Sequence, residues 1–289
     1  MADPGPVVPR RRIAEELRRL RGEAGRTLEE VAEALLISTS KLSRLENAQG
    51  RPQLRDIRDL IRFYGIEDTQ IAGRLERWTK AAQSQGWWTD YSGTISDELG
   101  AHVAYEAEAS IARVYTIPAI PVLLQTAEYA RAYYRSTEQW RTADDVDQLV
   151  ELRMKRQEAL RQRNGQPPLQ LIAVTHESSL RQLVGTPEIM RAQLDHLIES
   201  STAPNIELRV FPFSAQPLFT STCMYAYFEF SEDIDRDVVH IETHAGIRHI
   251  ERSKVVERYR EYHGTLYRSS LTSEESRALI RNIKQDQFS

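Results

Sequence analysis

The sequence predicts an α+β protein: an all-α bundle at the N-terminus, followed by a mixed α+β domain with a largely antiparallel sheet. Three observations carry this. Apolar residues recur at helical spacing from Ile13 to Tyr64, with turn residues between the runs. β-branched and aromatic runs bounded by Pro, Gly and Asp turns occur from Leu169 to Thr243, interleaved with further helical patterns. Charge is also divided unevenly: residues 1–66 carry 13 Lys/Arg against 10 Asp/Glu, and the remainder 25 against 32, a basic module on a mildly acidic body.

The chain has 289 residues, 40% apolar and 28% charged, which suits a soluble protein of about two domains. No apolar run approaches the roughly 20 residues of a bilayer span, and no hydrophobic segment follows the basic start, so a cytoplasmic protein without membrane attachment is expected. The net charge of −4 argues against wholesale nucleic-acid affinity. Cys223 is the only cysteine, which excludes an internal disulfide and a cysteine-based zinc cluster.

Residues 1–12 have the Pro and small-residue content of a disordered arm and end in Arg10, Arg11 and Arg12. On a DNA-bound protein these would lie near phosphates. Ile13, Leu17 and Leu20 give a first helix that ends near Gly22 to Gly25. Thr27 with Glu30 forms a capping-box pattern, and Leu28, Val31, Ala32 and Leu35 line one face of the helix it starts. Ser38 repeats the start signal. After it Leu42 and Leu45 point inward, while Thr39, Ser40, Lys41, Ser43 and Arg44 face outward. Those residues could enter a DNA groove; an ordinary αα-hairpin with a solvated polar face fits the same local pattern. Leu54, Ile57, Leu60, Ile61 and Tyr64 make a fourth stripe, and a helix from Thr69 to Gln85 reads as the start of a helical linker over residues 69–100. Trp87, Trp88 and Tyr91 in that stretch read as a wedge between structural units, with a ligand pocket or partner surface as the other reading.

From Arg21 to Asn47 the chain resembles the helix-turn-helix of XRE-type (phage-repressor-like) regulators, with VAEALLISTSKLSRLEN at its centre. The resemblance implies a DNA-binding domain over residues 13–68 whose second motif helix lies in the major groove. Thr39, Ser40 and Arg44 match the base-reading positions, Lys41 and Ser43 the flanks, and Arg21 and Glu46 a structural pair bridging two helices. Three positions depart from the family: Leu36 and Ala48 stand where Gly is common, and Leu28 where Gln is frequent. At Leu36 the left-handed backbone must then be strained or replaced by another turn.

A second resemblance covers nearly everything from Trp87 onward. YEAEASIARVYTIPAIPVLLQTAEYARAYY (Tyr105 to Tyr134), RMKRQEAL, the block from His176 to Leu197, NIELRVFPF, VVHIET and LTSEESRALI are similar to a C-terminal domain of undefined role in actinobacterial XRE-type regulators, including WhiJ-like, antitoxin-like proteins. Val122 replaces a Gly of that signature. The resemblance implies an effector or partner-binding domain over residues 101–289 and a small partner protein encoded by an adjacent gene. Pattern alone assigns strands to Leu169–Thr175, Ile206–Phe211, Thr222–Phe230 and Asp237–Thr243, and helices to Thr126–Arg135, Ala143–Arg163, Pro187–Ser200, Ser253–Tyr267 and Ser273–Ile283. No Gly-rich phosphate loop occurs.

His240, Glu242 and His244 alternate and would share one strand face, with His249 nearby: a conceivable metal or acid–base cluster. The bland reading, a half-exposed strand that carries histidines, is preferred, and neither a metal, a cofactor nor a catalytic residue is expected. The leading expectation is a sequence-specific DNA-binding transcriptional regulator whose C-terminal domain senses a partner protein or ligand. The alternatives are a small-molecule-binding or enzymatic C-terminal domain with an accessory helix-turn-helix, and an N-terminal bundle that serves only interaction. Symmetric operators would require a homodimer, and no heptad seam marks one.

Overall fold

The computed structural model describes residues 7–83, 86–161, 163, 167–218, 222–230, 237–243 and 246–288. The chain forms two compact units, one over Met1–Asp90 and the other over Tyr91–Ser231 and Arg236–Ser289.

The first unit is helical: α1 (Val7–Glu23), α2 (Leu28–Ala34), α3 (Thr39–Glu46), α4 (Leu54–Phe63) and α5 (Thr69–Gln83). The apolar stripes converge on one core that includes Ile13, Leu17, Val31, Leu42, Ile57, Leu60 and Leu75. The capping box starts α2 as its sequence requires. Glu30 N–H donates to Thr27 Oγ1 (3.2 Å), and Thr27 N–H donates back to Glu30 Oε2 (3.0 Å). Ser38 caps α3 by accepting from Lys41 N–H (3.2 Å). Each such cap contributes about 1 kcal/mol to a helix too short to stand alone.

Two expectations are corrected here. The basic segment is not an arm: α1 begins at Val7, so Arg10, Arg11 and Arg12 are helical, and residues 1–6 lie outside the described residues. Val8 and Ile13 are buried, which anchors the helix, and Pro9 falls in its first turn, where a missing N–H costs nothing. The linker does not begin at residue 69 either, because α5 places Leu75, Trp78 and Ala82 in the bundle core. The boundary falls inside the aromatic stretch. Trp87 and Trp88 meet edge to face in the first unit, while Tyr91 is buried in the second and donates to Glu151 Oε1 (3.0 Å).

Four helices of the bundle end in the same way, with a left-handed residue at C′ and paired backbone hydrogen bonds back to the last turn. After α1 and α4 that residue is glycine, Gly25 and Gly65, both at φ 61°. After α2 and α3 it is Leu36 and Ala48, both at φ 55°. Leu36 N–H donates to Glu33 O and Ile37 N–H to Ala32 O (3.2 and 3.0 Å); Ala48 N–H donates to Leu45 O and Gln49 N–H to Arg44 O (3.2 and 2.9 Å). The turn therefore keeps the left-handed geometry and carries its strain. Leu36 gains no compensating burial, being 93% exposed.

The second unit holds α6 (Asp97–Glu108), β1 (Ile111–Thr116), α7 (Ala127–Thr137), α8 (Ala143–Arg156), β2 (Gln170–His176), α9 (Glu177–Arg181), α10 (Pro187–Ser200), β3 (Ile206–Phe211), β4 (Tyr225–Glu229), β5 (Val238–Thr243), β6 (Gly246–Ile250), α11 (Ser253–Arg268) and α12 (Ser273–Gln287). Its strands form one six-stranded sheet in the order β3-β2-β1-β4-β5-β6. The β1–β4, β4–β5 and β5–β6 ladders are antiparallel; β1–β2 and β2–β3 are parallel, with helices in both crossovers. The mixed α+β architecture with a mostly antiparallel sheet is as the sequence predicts. Strands β1 and β6 were not: IARVYT abuts a helix without a turn signal, and GIRHI is too polar to read as a strand. Val122 opens a 3-10 turn (Val122–Leu124) without a positive φ, so the Gly of the signature is not required there.

Across a ladder, directly opposed residues share a face. Val114, Ala226, His240 and His249 therefore form one transverse row. The neighbouring row on the other face, with Tyr115, Tyr225 and Ile241, packs against Tyr259 and Leu266 of α11.

Replacing Leu36 by Gly relieves the left-handed strain without emptying a core site, so Leu36→Gly should raise stability by about 0.5–1 kcal/mol in urea unfolding. Gly25→Ala, where a Cβ would touch nothing within 4 Å, should lower it by about 1 kcal/mol through the backbone alone. Destabilisation by Leu36→Gly would contradict the strain assignment.

Candidate nucleic-acid interface and a buried histidine cluster

α3 is held from behind by arginines of α1. Arg21 forms a two-pronged ion pair with Glu46, Nε to Oε1 at 2.8 Å and Nη2 to Oε2 at 2.9 Å, as the resemblance implied. Glu46 is buried, and its carboxylate raises the affinity of Arg21 for its proton. Arg18, which the sequence reading did not single out, donates to the backbone oxygen of Glu46 from Nε and Nη2 (3.1 and 2.6 Å). Arg10 donates to Ala48 O (3.1 Å) just past the end of α3. These arginines satisfy carbonyls that a helix C-terminus leaves open and place positive charge at its negative end.

With Leu42 and Leu45 buried behind, the outer face of α3 carries Ser40 and Arg44, both exposed and four residues apart on one side of the helix. Thr39 is half-buried at the first position. Ser43 is half-buried and accepts from Asn47 Nδ2 through its carbonyl oxygen (2.8 Å) and its Oγ (3.3 Å). Lys41 is turned toward α4, its Nζ 2.8 Å from Asp56 Oδ1 and 2.7 Å from Oδ2, so its charge is already engaged. Arg10 and Arg11 are buried, and Arg12 lies over the Trp78 ring, 5.9 Å from its centroid. A solvated phosphate-binding arm at Arg10–Arg12 is therefore not what these residues form.

In the second unit the sheet and α6 bring together His102, His240 and His249, each with one ring nitrogen within 4.8 Å of the others. His102 and His240 are buried, and His249 is half-buried. The His102 and His240 rings lie 3.9 Å apart, and His240 Nδ1 is 3.2 Å from His249 Nε2. Glu242 shares the strand face but is exposed, and His244 lies outside the described residues. His102 is the member the sequence reading missed; its one local signal was the four-residue spacing to Glu106.

Behind His102 sits a buried ion pair, Arg156 Nε to Glu106 Oε1 at 2.7 Å and Nη2 to Oε2 at 2.8 Å. Burial alone would raise the pKa of Glu106, but the charge and hydrogen bonds of Arg156 prevail and bring it down to about 2. Arg156 Nη2 also lies 2.9 Å from His102 Nε2, while His102 Nδ1 is buried without a hydrogen-bond partner among the described residues. Burial holds His102 and His240 in the neutral form, reinforced by the positive charge of Arg156.

A bundle that presents a short polar helix in this way is a helix-turn-helix domain, and residues 12–73 match the family model described as Helix-turn-helix domain. Residues 99–282 match the model described as Domain of unknown function (DUF5753), and over that span, more than half its length, the chain belongs to this family. No curated protein and no solved structure matches the chain. No described helix is long and apolar enough to cross a membrane.

Removing the Glu46 carboxylate strands Arg21, so Glu46→Ala should cost the helical unit about 2 kcal/mol in urea unfolding, with Glu46→Gln losing less. His263 of α11 tests the second unit. Burial foremost, then the Arg113 charge, push its pKa down to about 4, and Tyr225 Oη lies 3.2 Å from its Nδ1. An unfolded histidine titrates near 6.5, so neutral His263 supports the fold above that pH. The support is lost as pH falls from about 6.5 toward 4, amounting to at most ~3 kcal/mol. Urea unfolding across that range should show a shallower acid loss in His263→Gln than in the wild type; identical slopes would contradict the assignment.

Proposed function

We propose that the protein is a sequence-specific DNA-binding transcriptional regulator of the XRE type. In this reading α3 enters the major groove, Thr39, Ser40 and Arg44 address base edges, and Lys41 and Ser43 flank them. The observation that carries it is the pairing of exposed Ser40 and Arg44 on the outer face of a helix fixed from behind by Arg18 and Arg21. An arginine there suits guanine O6 and N7, and short hydroxyls serve several bases. Lys41 would have to leave Asp56 to reach a phosphate, which makes it the weaker contributor. A DNA reader works where DNA is, hence in the cytoplasm, and on a symmetric operator it would act as a homodimer.

The second unit, in the same proposal, receives a signal from a partner protein or ligand, and no catalysis is assigned to it. The resemblance to WhiJ-like and antitoxin-like regulators favours a small protein encoded by an adjacent gene, which co-purification from cells expressing both genes tests.

Arg44→Ala should weaken binding to the protein's own upstream DNA by about 1–3 kcal/mol while leaving binding to random duplex nearly unchanged, read by gel shift at fixed salt. Equal loss on both DNAs would remove the base-reading role.

A further inference from the structure

The DNA-reading proposal leaves His102, His240 and His249 unused, and their arrangement is costly as it stands. Arg156 can only donate, so a neutral His102 that accepts at Nε2 must carry its proton on Nδ1, where it finds no acceptor among the described residues. A buried polar atom without a partner is unfavourable, and three imidazoles meeting in one layer cannot relieve it by charging, because like charges would then adjoin.

We propose that His102, His240 and His249 form a binding site for one late first-row divalent cation, zinc foremost, that ties α6 to β5 and β6. Neutral imidazole is the ligating form, and an all-nitrogen set selects zinc, nickel or cobalt over calcium and magnesium, which prefer oxygen. Two nitrogens bound to tetrahedral zinc at 2.0–2.1 Å lie about 3.3 Å apart. His240 Nδ1 and His249 Nε2 are already 3.2 Å apart, and His102 offers a ring nitrogen within 4.8 Å of the other two ligands, two separations that a rotation of its side chain would have to shorten.

The surroundings of His102 fit the same role. Glu106 Oε2 lies 3.7 Å from His102 Nε2, outside hydrogen-bond reach as the ring stands but placed for the carboxylate–histidine pairing that orients metal ligands once the ring turns. When Nδ1 faces the ion, the Nε2 proton must turn away from Arg156 Nη2, a donor 2.9 Å off, toward Glu106 Oε2; that rotation uses both ring nitrogens and leaves Arg156 its two bonds to Glu106. The fourth position falls to water or to Glu98, an exposed carboxylate one helical turn before His102. The site goes beyond the DNA-reading proposal and stands whether or not α3 binds DNA.

The test uses full-length protein stripped with a chelator and titrated with Zn2+ against a chromophoric competitor, alongside thermal unfolding. One zinc per chain should be taken up, with a rise in Tm on the order of 5–10 °C at metal a hundredfold above Kd. Co2+ at the site should give the intense visible absorption of a tetrahedral ion. His249→Ala, at a half-buried position on the sheet edge, should lose all three signals with its circular dichroism retained; His249→Gln repeats the test with side-chain volume kept. His196→Ala, whose ring lies 3.3 Å from Ser200 on α10, should bind as the wild type does. Failure of the wild-type protein to take up stoichiometric metal, or undiminished uptake in both His249 variants, overturns the site.

Discussion

The ion pair between Arg21 and Glu46 fixes the element on which the functional reading rests. α3 has eight residues, too few for a helix to persist alone, and its inward side chains Leu42 and Leu45 give it only a narrow apolar seam. What sets its rotation and depth is the buried carboxylate at its last position, gripped by the guanidinium of α1, with Arg18 and Arg10 on the carbonyls beside it. Because Glu46 is buried while Arg44 two residues earlier is exposed, the same clamp that holds the helix decides which side chains face outward.

A second constraint acts at the two ends of the motif. Leu36 and Ala48 adopt the backbone that glycine supplies after α1 and α4, so the turn into α3 and the turn out of it are both held against local preference. The tertiary contacts of the bundle outweigh that cost: Val31, Leu42 and Ile57 share one core, and a relaxed turn would move α3 off it. Retention of left-handed turns without glycine is consistent with α3 being the part of the bundle whose position matters most.

Local chemistry made much of this legible in the sequence. Thr27 with Glu30, and Ser38, mark helix starts that the structure reproduces, because a cap needs only neighbours three residues away. What was not legible depends on distant partners. Arg10 and Arg11 resemble a solvated arm until Val8 and Ile13 bury the helix that carries them. β1 and β6 lack strand-like alternation and exist because β4 and β5 offer them edges. His102 could not be joined to His240 and His249 from spacing, since α6 meets that sheet face only through the fold.

The outer face of α3 is proposed to read DNA sequence. Selection of bound duplexes from a randomised pool by the full-length protein, repeated with Ser40 and Arg44 both replaced by Ala, tests it most directly. The wild type should enrich a defined motif with a guanine at the position facing Arg44, and the double variant should lose that motif while remaining folded. Enrichment of the same motif by both proteins, or of none by the wild type, would contradict it.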